Sequence, residues 1–234
     1  VSGASIAGPV LAYWLSRNGF DVTVVERAPA LRKTGGHAVD LFRPAIEISE
    51  RMGVLDRIEA RATGTTALTL NRPPRTRWTH IDYVKLIGAM SDRHVEIMRD
   101  DLCQAYYDAV RDDAEFRFGD QLTSITDAGE VTFENGAPER YDLVVGADGL
   151  RSGVRQLTFG DQAREVFLGG YLAVVSVPKM LAPKGEMSGY LAPRKIAMVY
   201  SADHLEDARA VFMFRTDEPL DYHHRDIAAQ KRHL

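Results

Sequence analysis

The first hydrophobic pattern along the chain predicts a strand, a turn and a helix. Residues 1–8, VSGASIAG, are typical of the end of a strand followed by a tight turn. Residues 9–18 then carry apolar side chains at helical spacing; Pro9 suits a first helical turn, and Gly19 suits the end of the helix. The valines within residues 20–28 indicate a short buried strand. This order predicts a βαβ unit whose two strands are parallel.

The middle of the chain mixes loops with two further helices. A Gly-Gly loop at residues 35–36 precedes an extended piece at residues 38–42. Proline then opens a helix over residues 44–52, which glycine stops. Residues 63–90 have mixed polarity and contain the run NRPPR, so loop and irregular strand are predicted there. Residues 99–111 return to helical spacing, with acids near the start, where they favour the helix dipole.

The second half of the chain alternates with the period of strands. Three short strands are predicted within residues 116–136, and Asn135-Gly136 is a strong hairpin turn signal. The apolar run of residues 141–149 ends in Gly-Ala-Asp-Gly. Residues 165–216 are rich in further strands, which predict a second, mostly antiparallel sheet. The fold class is therefore α/β: a Rossmann-like domain with a βαβ start, interleaved with a mostly antiparallel β-sheet domain.

The turn of the βαβ unit has the residues that a dinucleotide site needs. Gly3 allows a tight turn, the small residue Ser5 lets a pyrophosphate approach, and Gly8 allows the helix to pack closely. The helix N-terminus attracts phosphates. Glu26, which closes the second strand, is placed to bond a ribose hydroxyl. Ser5 replaces the usual glycine, so we expect the phosphate to lie slightly further out. A tight βα turn without a ligand is the alternative.

A second motif lies at residues 146–155, GADGLRSGVR. Its glycines keep the end of a strand thin, as a neighbouring cofactor requires. The carboxylate of Asp148 can bond backbone or ribose groups, and Arg155 can hold the turn through charge-assisted hydrogen bonds. The alternative is a surface turn with an incidental salt bridge. Both glycine-lined corners are predicted to face one diphosphate.

This second motif resembles the second fingerprint of the flavoprotein aromatic hydroxylases, the p-hydroxybenzoate hydroxylase-like class. Residues 3–29, the run GGHAVDL at residues 35–41 and the run EIMRDDL at residues 96–102 also look like one subfamily of single-component FAD monooxygenases. That subfamily includes the tetracycline-inactivating enzymes. The resemblance covers nearly the whole chain.

The resemblance implies an FAD-binding domain at residues 1–60 and 91–160 and a substrate-binding domain at residues 61–90 and 161–234. It implies that Glu26 binds the adenosine ribose, that Arg27 lies by the adenine, and that the loop of residues 35–40 passes near the flavin. Arg99 matches an arginine that reaches FAD from a helix start; a solvated cation is the alternative. The predicted cofactor-binding residues are Gly3, Ser5, Ile6, Ala7, Gly8, Glu26, Arg27, Gly36, Asp40, Arg99, Asp148 and Gly149.

The family implies that NADPH or NADH reduces FAD, that reduced flavin captures molecular oxygen as a C4a-hydroperoxide, and that one oxygen is transferred to an aromatic or polyketide-like small molecule. No catalytic side chain is predicted, because the flavin performs this chemistry. Two alternatives are a flavin-dependent NAD(P)H oxidase or dehydrogenase and a non-catalytic ligand-binding fragment. The family's third fingerprint, Gly-Asp before a Pro- and Gly-rich helix start, is absent from these 234 residues. Either they are part of a longer protein, or the product is truncated.

Composition limits the classes of partner and the compartment that are expected for the chain. The chain has 234 residues, a net charge of -4 and no basic tract, so nucleic acid is not an expected partner. No signal peptide is visible in residues 1–19, and no run reaches the about 20 apolar residues of a membrane span, so no membrane partner is expected. Its single cysteine, Cys103, excludes an internal disulfide and favours the cytoplasm and a buried packing role. A monomer or weak dimer is expected.

Two weaker candidates remain. Arg194, in the second sheet, is a candidate to face a substrate cavity; an exposed strand charge is an equal interpretation. His223-His224, near Asp221 and Asp226, has the residue types of a metal site. It lacks a matching ligand set, so we favour a solvated polar turn and predict no metal.

Overall fold

The computed structural model describes residues 1–31, 36–221 and 226–233, and these fall into two compact units. The first unit takes in residues 1–31, 47–60 and 99–165; the second takes in the rest. Our predicted bounds group residues 36–46 and 91–98 with the first unit. In the structure their strands pair with each other and cluster with the second unit. The assignment of one unit to FAD and the other to substrate stays a prediction.

The helices and strands are numbered here in chain order. They are α1 (Ala7–Arg17), β1 (Thr23–Glu26), β2 (Ala38–Phe42), α2 (Arg43–Arg51), α3 (Leu55–Glu59), β3 (Ala67–Asn71), β4 (Trp78–Asp82), α4 (Tyr83–Gly88), β5 (His94–Met98), α5 (Arg99–Asp108), β6 (Glu115–Phe118), β7 (Leu122–Ile125), β8 (Glu130–Phe133), β9 (Glu139–Arg140), α6 (Gly153–Phe159), β10 (Gly170–Pro178), β11 (Glu186–Ala192), β12 (Lys195–Tyr200), β13 (Asp207–Arg215) and α7 (Ile227–Arg232).

The parallel βαβ start is confirmed in the first unit. Ser2 forms parallel bridges to Val25 on one side and to Gly146 on the other, and β1 pairs in parallel with β6. The predicted strand of residues 141–149 contributes this bridge at Gly146 rather than a regular strand. Helix α1 ends at Arg17 and is followed by Gly19, whose φ of 82° is one that favours glycine. The parallel strands therefore bring the two glycine-containing turns to neighbouring positions.

A small antiparallel sheet of β7, β8 and β9 flanks this arrangement. Val131 and Phe133 of β8 pack against Val25 in one hydrophobic core. Asn135-Gly136 lies in the connection between β8 and β9, as predicted, but the connection runs over residues 134–138 and is longer than a two-residue turn. The carboxylate of Asp120 accepts hydrogen bonds from the backbone of this loop, at Asn135 and Gly136.

The second unit is built on a six-stranded sheet with the order β10-β13-β12-β11-β3-β4. Its neighbours are antiparallel except for β11 and β3, so the prediction of a mostly antiparallel sheet is confirmed. Met98, Tyr200 and Val211 form its buried core cluster.

The prediction of loop and irregular strand for residues 63–90 is right about strand but wrong about regularity, because this range contains the regular strands β3 and β4 and also the helix α4. Strand β3 is completed by long-range pairing with β11, which a local pattern does not reveal. Among the described residues, no helix has the length and apolar character needed to cross a bilayer.

Candidate functional site

Two glycine-containing corners of the first unit lie directly against each other. Gly3 has a φ of 104°, and a Cβ built there would lie 2.6 Å from the carbonyl oxygen of Ala147 and 2.9 Å from Cα of Asp148. The amide of Ala147 donates a hydrogen bond to the carbonyl oxygen of Ser2 at 2.8 Å. Only glycine fits at residue 3, because a side chain would occupy the space of the second corner.

The N-terminus of α1 opens beside this contact. A Cβ at Gly8 would lie 1.8 Å from the carbonyl oxygen of Gly3, so the helix packs on the turn as closely as glycine allows. The N-cap residue Ile6 provides no side-chain cap, and the first turn, which begins at Ala7, contains no acid. The first amides of a helix lack intrahelical acceptors and carry partial positive charge. This end of α1 is thus suited to an anion.

Glu26 is fixed at the end of β1 by two backbone donors. Its Oε2 accepts a hydrogen bond from the amide of Ala4 at 2.8 Å, and its Oε1 accepts one from the amide of Ala28 at 2.9 Å. The carboxylate is therefore oriented by both the glycine-rich turn and the residues after β1. The neighbouring Arg27 is exposed at the same place.

Ser5 connects the turn to α5. The guanidinium of Arg99 donates through Nη2 to Oγ of Ser5 at 2.9 Å, and Sγ of Cys103 lies 3.4 Å from the same oxygen. Residues at positions i and i+4 of a helix lie on one face, which explains why Arg99 and Cys103 reach one partner. The serine that replaces the usual glycine thus bonds the predicted FAD-contacting arginine.

The acid and the arginine of the second motif hold its turn together. Asp148 accepts hydrogen bonds from Oγ of Ser152 at 2.5 Å and from the amide of Val154 at 3.2 Å. Ser152 caps α6 by accepting from the amide of Arg155. Arg155 donates through Nη2 to the carbonyl oxygen of Leu150 at 2.7 Å. The carboxylate of Asp148 is thus committed to the backbone and to a cap, one of the two kinds of partner that we expected.

These groups surround a cleft of about 340 Å³ within the first unit. It is lined by the predicted residues Gly3, Ser5, Ile6, Ala7, Glu26, Arg27, Arg99, Asp148 and Gly149 and by Ser2, Val25, Asp120, Gln121, Leu122, Ala147, Arg151, Gly153 and Val154. An adjoining space of about 240 Å³ shares Ser5, Glu26, Arg99 and Asp148 with it and also touches Cys103. The structure therefore brings most of the predicted cofactor-binding residues to one place.

Sequence reasoning did not identify Asp120 as part of the cleft. This buried residue accepts hydrogen bonds from the amides of Gln121, Asn135 and Gly136 at 2.8, 3.0 and 3.0 Å. Burial by itself raises the pKa of the Asp120 carboxyl, but the backbone donors outweigh it and hold the pKa below its usual range. Asp120 thereby fixes the β8–β9 loop at the rim of the cleft. No local sequence signal marks it, because its partners come from a later hairpin.

Two further predicted residues, Gly36 and Asp40, lie in the second unit. The carbonyl oxygen of Gly36 accepts a hydrogen bond from Nε of Arg209 at 3.2 Å. Asp40, on β2, lies 2.7 Å from Nε2 of His94 and accepts from the hydroxyl of Tyr83 at 3.4 Å. Burial, together with the negative charges of Glu96 and Asp40, raises the pKa of the Tyr83 hydroxyl. That Gly36 and Asp40 approach the flavin stays a prediction.

Arg194 lies in the turn between β11 and β12 rather than on a strand. Its φ is 61°, and its guanidinium pairs with the exposed Asp217 at 2.8 Å. Gly35 and His223-His224 fall outside the described residues. Within the described ranges, no group of three His, Cys, Asp or Glu side chains is placed to hold a metal ion.

A family model described as FAD binding domain matches residues 1–232 of the chain. The chain is 38% identical over 236 residues to uncharacterized protein Rv1260 of Mycobacterium tuberculosis, covering 98% of this chain and 63% of that protein. It is 33% identical over 239 residues to a flavin-dependent monooxygenase of Legionella longbeachae, covering 100% of this chain and 60% of that one.

The fold is also similar to that of solved proteins. Tetracycline destructase Tet(51) superposes with a TM-score of 0.83 at 33% identity, covering 99% of this chain and 60% of the other. The structure of CtdE in complex with FAD superposes with a TM-score of 0.76 at 13% identity, covering 95% of this chain and 60% of the other, a likeness of fold alone. The chain thus spans about 60% of the length of these relatives.

Proposed function

We propose that this chain, which belongs to the FAD binding domain family, holds FAD in the cleft of its first unit and serves a flavin-dependent monooxygenase reaction. The observation that carries the proposal is the contact between Gly3 and the Ala147–Asp148 corner beside the uncapped start of α1. Two thin corners and a helix N-terminus around one cleft suit a diphosphate that links two nucleotide halves.

The residues around the cleft fit the parts of FAD. The start of α1 would hold the pyrophosphate, Glu26 would bond the adenosine ribose, and Arg27 would lie by the adenine. Arg99 would contact the cofactor, because its guanidinium donates a hydrogen bond to Ser5 of the glycine-rich turn. When bound, FAD would accept hydride from a nicotinamide and react with molecular oxygen, so that one oxygen atom reaches the substrate.

The part of the protein itself would be to bind, to orient and to exclude water. Glu26 and Ser5 are already fixed by hydrogen bonds, so little ordering would remain to be done on binding. Gly36 and Asp40, in the second unit, would approach the flavin, as the resemblance implies. The second unit would bind the substrate.

The proposed substrate class is supported by the names of relatives, and the reductant, location and oligomeric state are carried over from the sequence analysis. The names of these relatives include flavin-dependent monooxygenase and tetracycline destructase. We propose an aromatic or polyketide-like small molecule as substrate, NADPH or NADH as reductant, a cytoplasmic location and a monomer or weak dimer. Arg194 stays a predicted substrate contact, although its pair with Asp217 favours the alternative of an exposed charge.

The test starts from the purified protein and its visible spectrum. The proposal predicts bound or bindable FAD, NAD(P)H-dependent bleaching of the flavin, oxygen uptake, and a product one oxygen atom heavier than a substrate from an aromatic and polyketide panel. Oxidation of NAD(P)H that yields only hydrogen peroxide over the whole panel would favour an oxidase or dehydrogenase. Binding of an aromatic ligand without any turnover would favour a ligand-binding fragment. Failure to bind FAD at all would end the proposal.

A further inference from the structure

Cationic side chains that are far apart in the sequence lie together along one border of the six-stranded sheet. This border runs across the sheet where its strands begin or end, and is not an outer strand. In the register of the sheet, Asn71 pairs with Tyr190, Ala192 with Lys195, and Gly170 with Arg215. The β3–β4 loop, the β11–β12 turn, the end of β13 and the start of β10 therefore lie along the same edge. We call this row the basic edge; it consists of Arg72, Arg75, Arg77, Arg194, Lys195 and Arg215, all of them exposed.

The basic edge has an excess of positive charge in a chain whose net charge is -4. Asp217, which pairs with Arg194, and Glu218 follow directly after β13. The loop of residues 72–77, RPPRTR, contains no acid. Within the described ranges, none of its three guanidinium groups pairs with a carboxylate. This side of the edge can therefore attract an anionic partner without first breaking ion pairs.

Apolar and aromatic side chains are exposed beside these cations. Leu168, just before β10, is 88% exposed, and Val166 is 77% exposed. Trp78 and Tyr190 pack together with ring centroids 5.3 Å apart, yet remain 37% and 52% exposed. Aromatic rings with one polar end and isolated aliphatic side chains are the residues that enter the headgroup region of a bilayer.

We infer that the basic edge docks this protein on the surface of an anionic membrane, with its arginines at the lipid phosphates and Leu168 and Val166 below them. Five strand spacings separate β4 from β10, so the edge is roughly 24 Å wide and can contact several headgroups. Nucleic acid offers no apolar layer for the two aliphatic side chains, and the mixture of cations and aliphatic groups along the row suits lipid better. Our expectation of no membrane partner rested on the lack of a spanning segment, which surface docking does not require.

The test is flotation of the full chain with vesicles of phosphatidylcholine that contain either no anionic lipid or about 30% phosphatidylglycerol. We expect binding to the anionic vesicles only, and its loss in about 0.5 M salt. Each arginine near the surface contributes about fivefold in affinity, so a triple variant R72S/R75S/R77S should bind on the order of 100-fold more weakly. Leu168→Ser should weaken binding roughly tenfold without any change of charge.

A matched control removes the same charge elsewhere. Arg51, Arg61 and Arg140 are exposed and do not belong to the basic edge, so R51S/R61S/R140S should bind far more strongly than the triple variant of the loop. Circular dichroism and thermal unfolding show whether each variant is folded. Equal weakening by both triple variants would mean attraction by net charge alone and would overturn the inference.

A second measurement reports the insertion of a side chain into the bilayer rather than the electrostatic attraction of the protein to the vesicle surface. In a Trp14→Phe background Trp78 is the remaining tryptophan, and its emission should shift to the blue and be quenched by brominated lipid when anionic vesicles are added. Quenching that is absent while the protein still floats would overturn docking through this edge. Arginine-dependent binding to single-stranded DNA or polyglutamate, without vesicle binding, would assign the edge to a different anionic partner. None of these results depends on whether the cleft of the first unit binds FAD.

Discussion

The carbonyl oxygen of Gly3 occupies the place where a side chain of Gly8 would begin, because a Cβ built at Gly8 lies 1.8 Å from that oxygen. Gly3 in turn leaves no room for a side chain of its own beside Ala147. The start of α1, the first turn and the second corner are thus in contact through glycine. The position of α1 relative to the proposed diphosphate site therefore depends on the absence of one methyl group.

Gly8→Ala should weaken FAD binding at least tenfold and destabilise the protein by about 1 to 3 kcal/mol, the range for an overpacked core. The added methyl group must push α1 away from the turn. Flavin fluorescence titration and thermal unfolding measure the two effects. Gly88→Ala is the matched control, since a Cβ at Gly88 has no neighbour within 4 Å other than the adjacent residues and the backbone of its own helix. If both substitutions behave alike, close packing at Gly8 is not what shapes the site.

Glu26→Gln should weaken FAD binding roughly tenfold to 100-fold. A carboxylate accepts from the amides of both Ala4 and Ala28, whereas a carboxamide offers one acceptor and one donor, so a charge-assisted hydrogen bond is lost. Isothermal titration with FAD and with ADP shows whether Glu26 acts at the adenosine ribose, which both ligands carry, or at another part of FAD. Both ligands carry the adenosine ribose, so both affinities should fall. Glu59→Gln, an exposed residue, provides the same change of charge elsewhere. A loss for FAD with ADP unaffected would place Glu26 at another part of the cofactor.

The thiol of Cys103 should be protected by FAD. It is buried, it lies 3.4 Å from Oγ of Ser5, and it touches the space that adjoins the cleft. We expect slow labelling by a thiol reagent in the free protein and labelling at least tenfold slower when FAD is bound. Because Cys103 is the single cysteine of the chain, mass spectrometry reports its modification without ambiguity. An unchanged labelling rate at saturating FAD would contradict the location of the site.

Asp120→Asn should destabilise the protein by about 2 kcal/mol at neutral pH, because three amides lose a charged acceptor. The pKa of Asp120 is lowered in the folded state, so its stabilisation is complete above the ordinary aspartate value of about 3.9. This stabilisation is lost as the pH falls through the lower, folded-state pKa. The stability difference from the wild type should therefore shrink towards about pH 3.

Urea unfolding at several pH values between about 7 and 3 measures this difference. The exposed Asp127, changed to Asn, is the control and should have a small effect at every pH. A difference of constant size across the range would show that the charge of Asp120 does not stabilise the loop.

The sequence predicts the βαβ start and the two glycine corners because their signals are local. Gly3, Gly8 and Glu26 have a spacing that one strand–turn–helix–strand unit explains completely. The regular pairing of strand β3 does not follow from the sequence, because its partner β11 comes far later in the chain and its own residues alternate only weakly. Cys103 was predicted to be buried, and it is, but its place beside Ser5 requires knowledge of how α5 packs.

Asp120 illustrates the same limit at the rim of the cleft. Its side chain is satisfied by backbone amides of a loop that starts fourteen residues later, at Glu134, and a single sequence carries no sign of such a partner. Asp148 is an intermediate case. Its motif is visible in the sequence, but its partners Ser152 and Val154 show that the spacing Asp-x-x-x-Ser builds a helix cap as well as a thin corner.

Hydrogen exchange, followed by mass spectrometry, on the protein with and without saturating FAD tests directly whether both glycine corners hold one diphosphate. We expect stoichiometric binding and slower exchange of amides in both corners, residues 3–8 and 146–154, together. Exposed amides at residues 72–77 should be unaffected and serve as the internal reference. Saturable FAD binding that protects one corner while the other exchanges as before, or no binding at all, would contradict the claim that both corners hold one diphosphate.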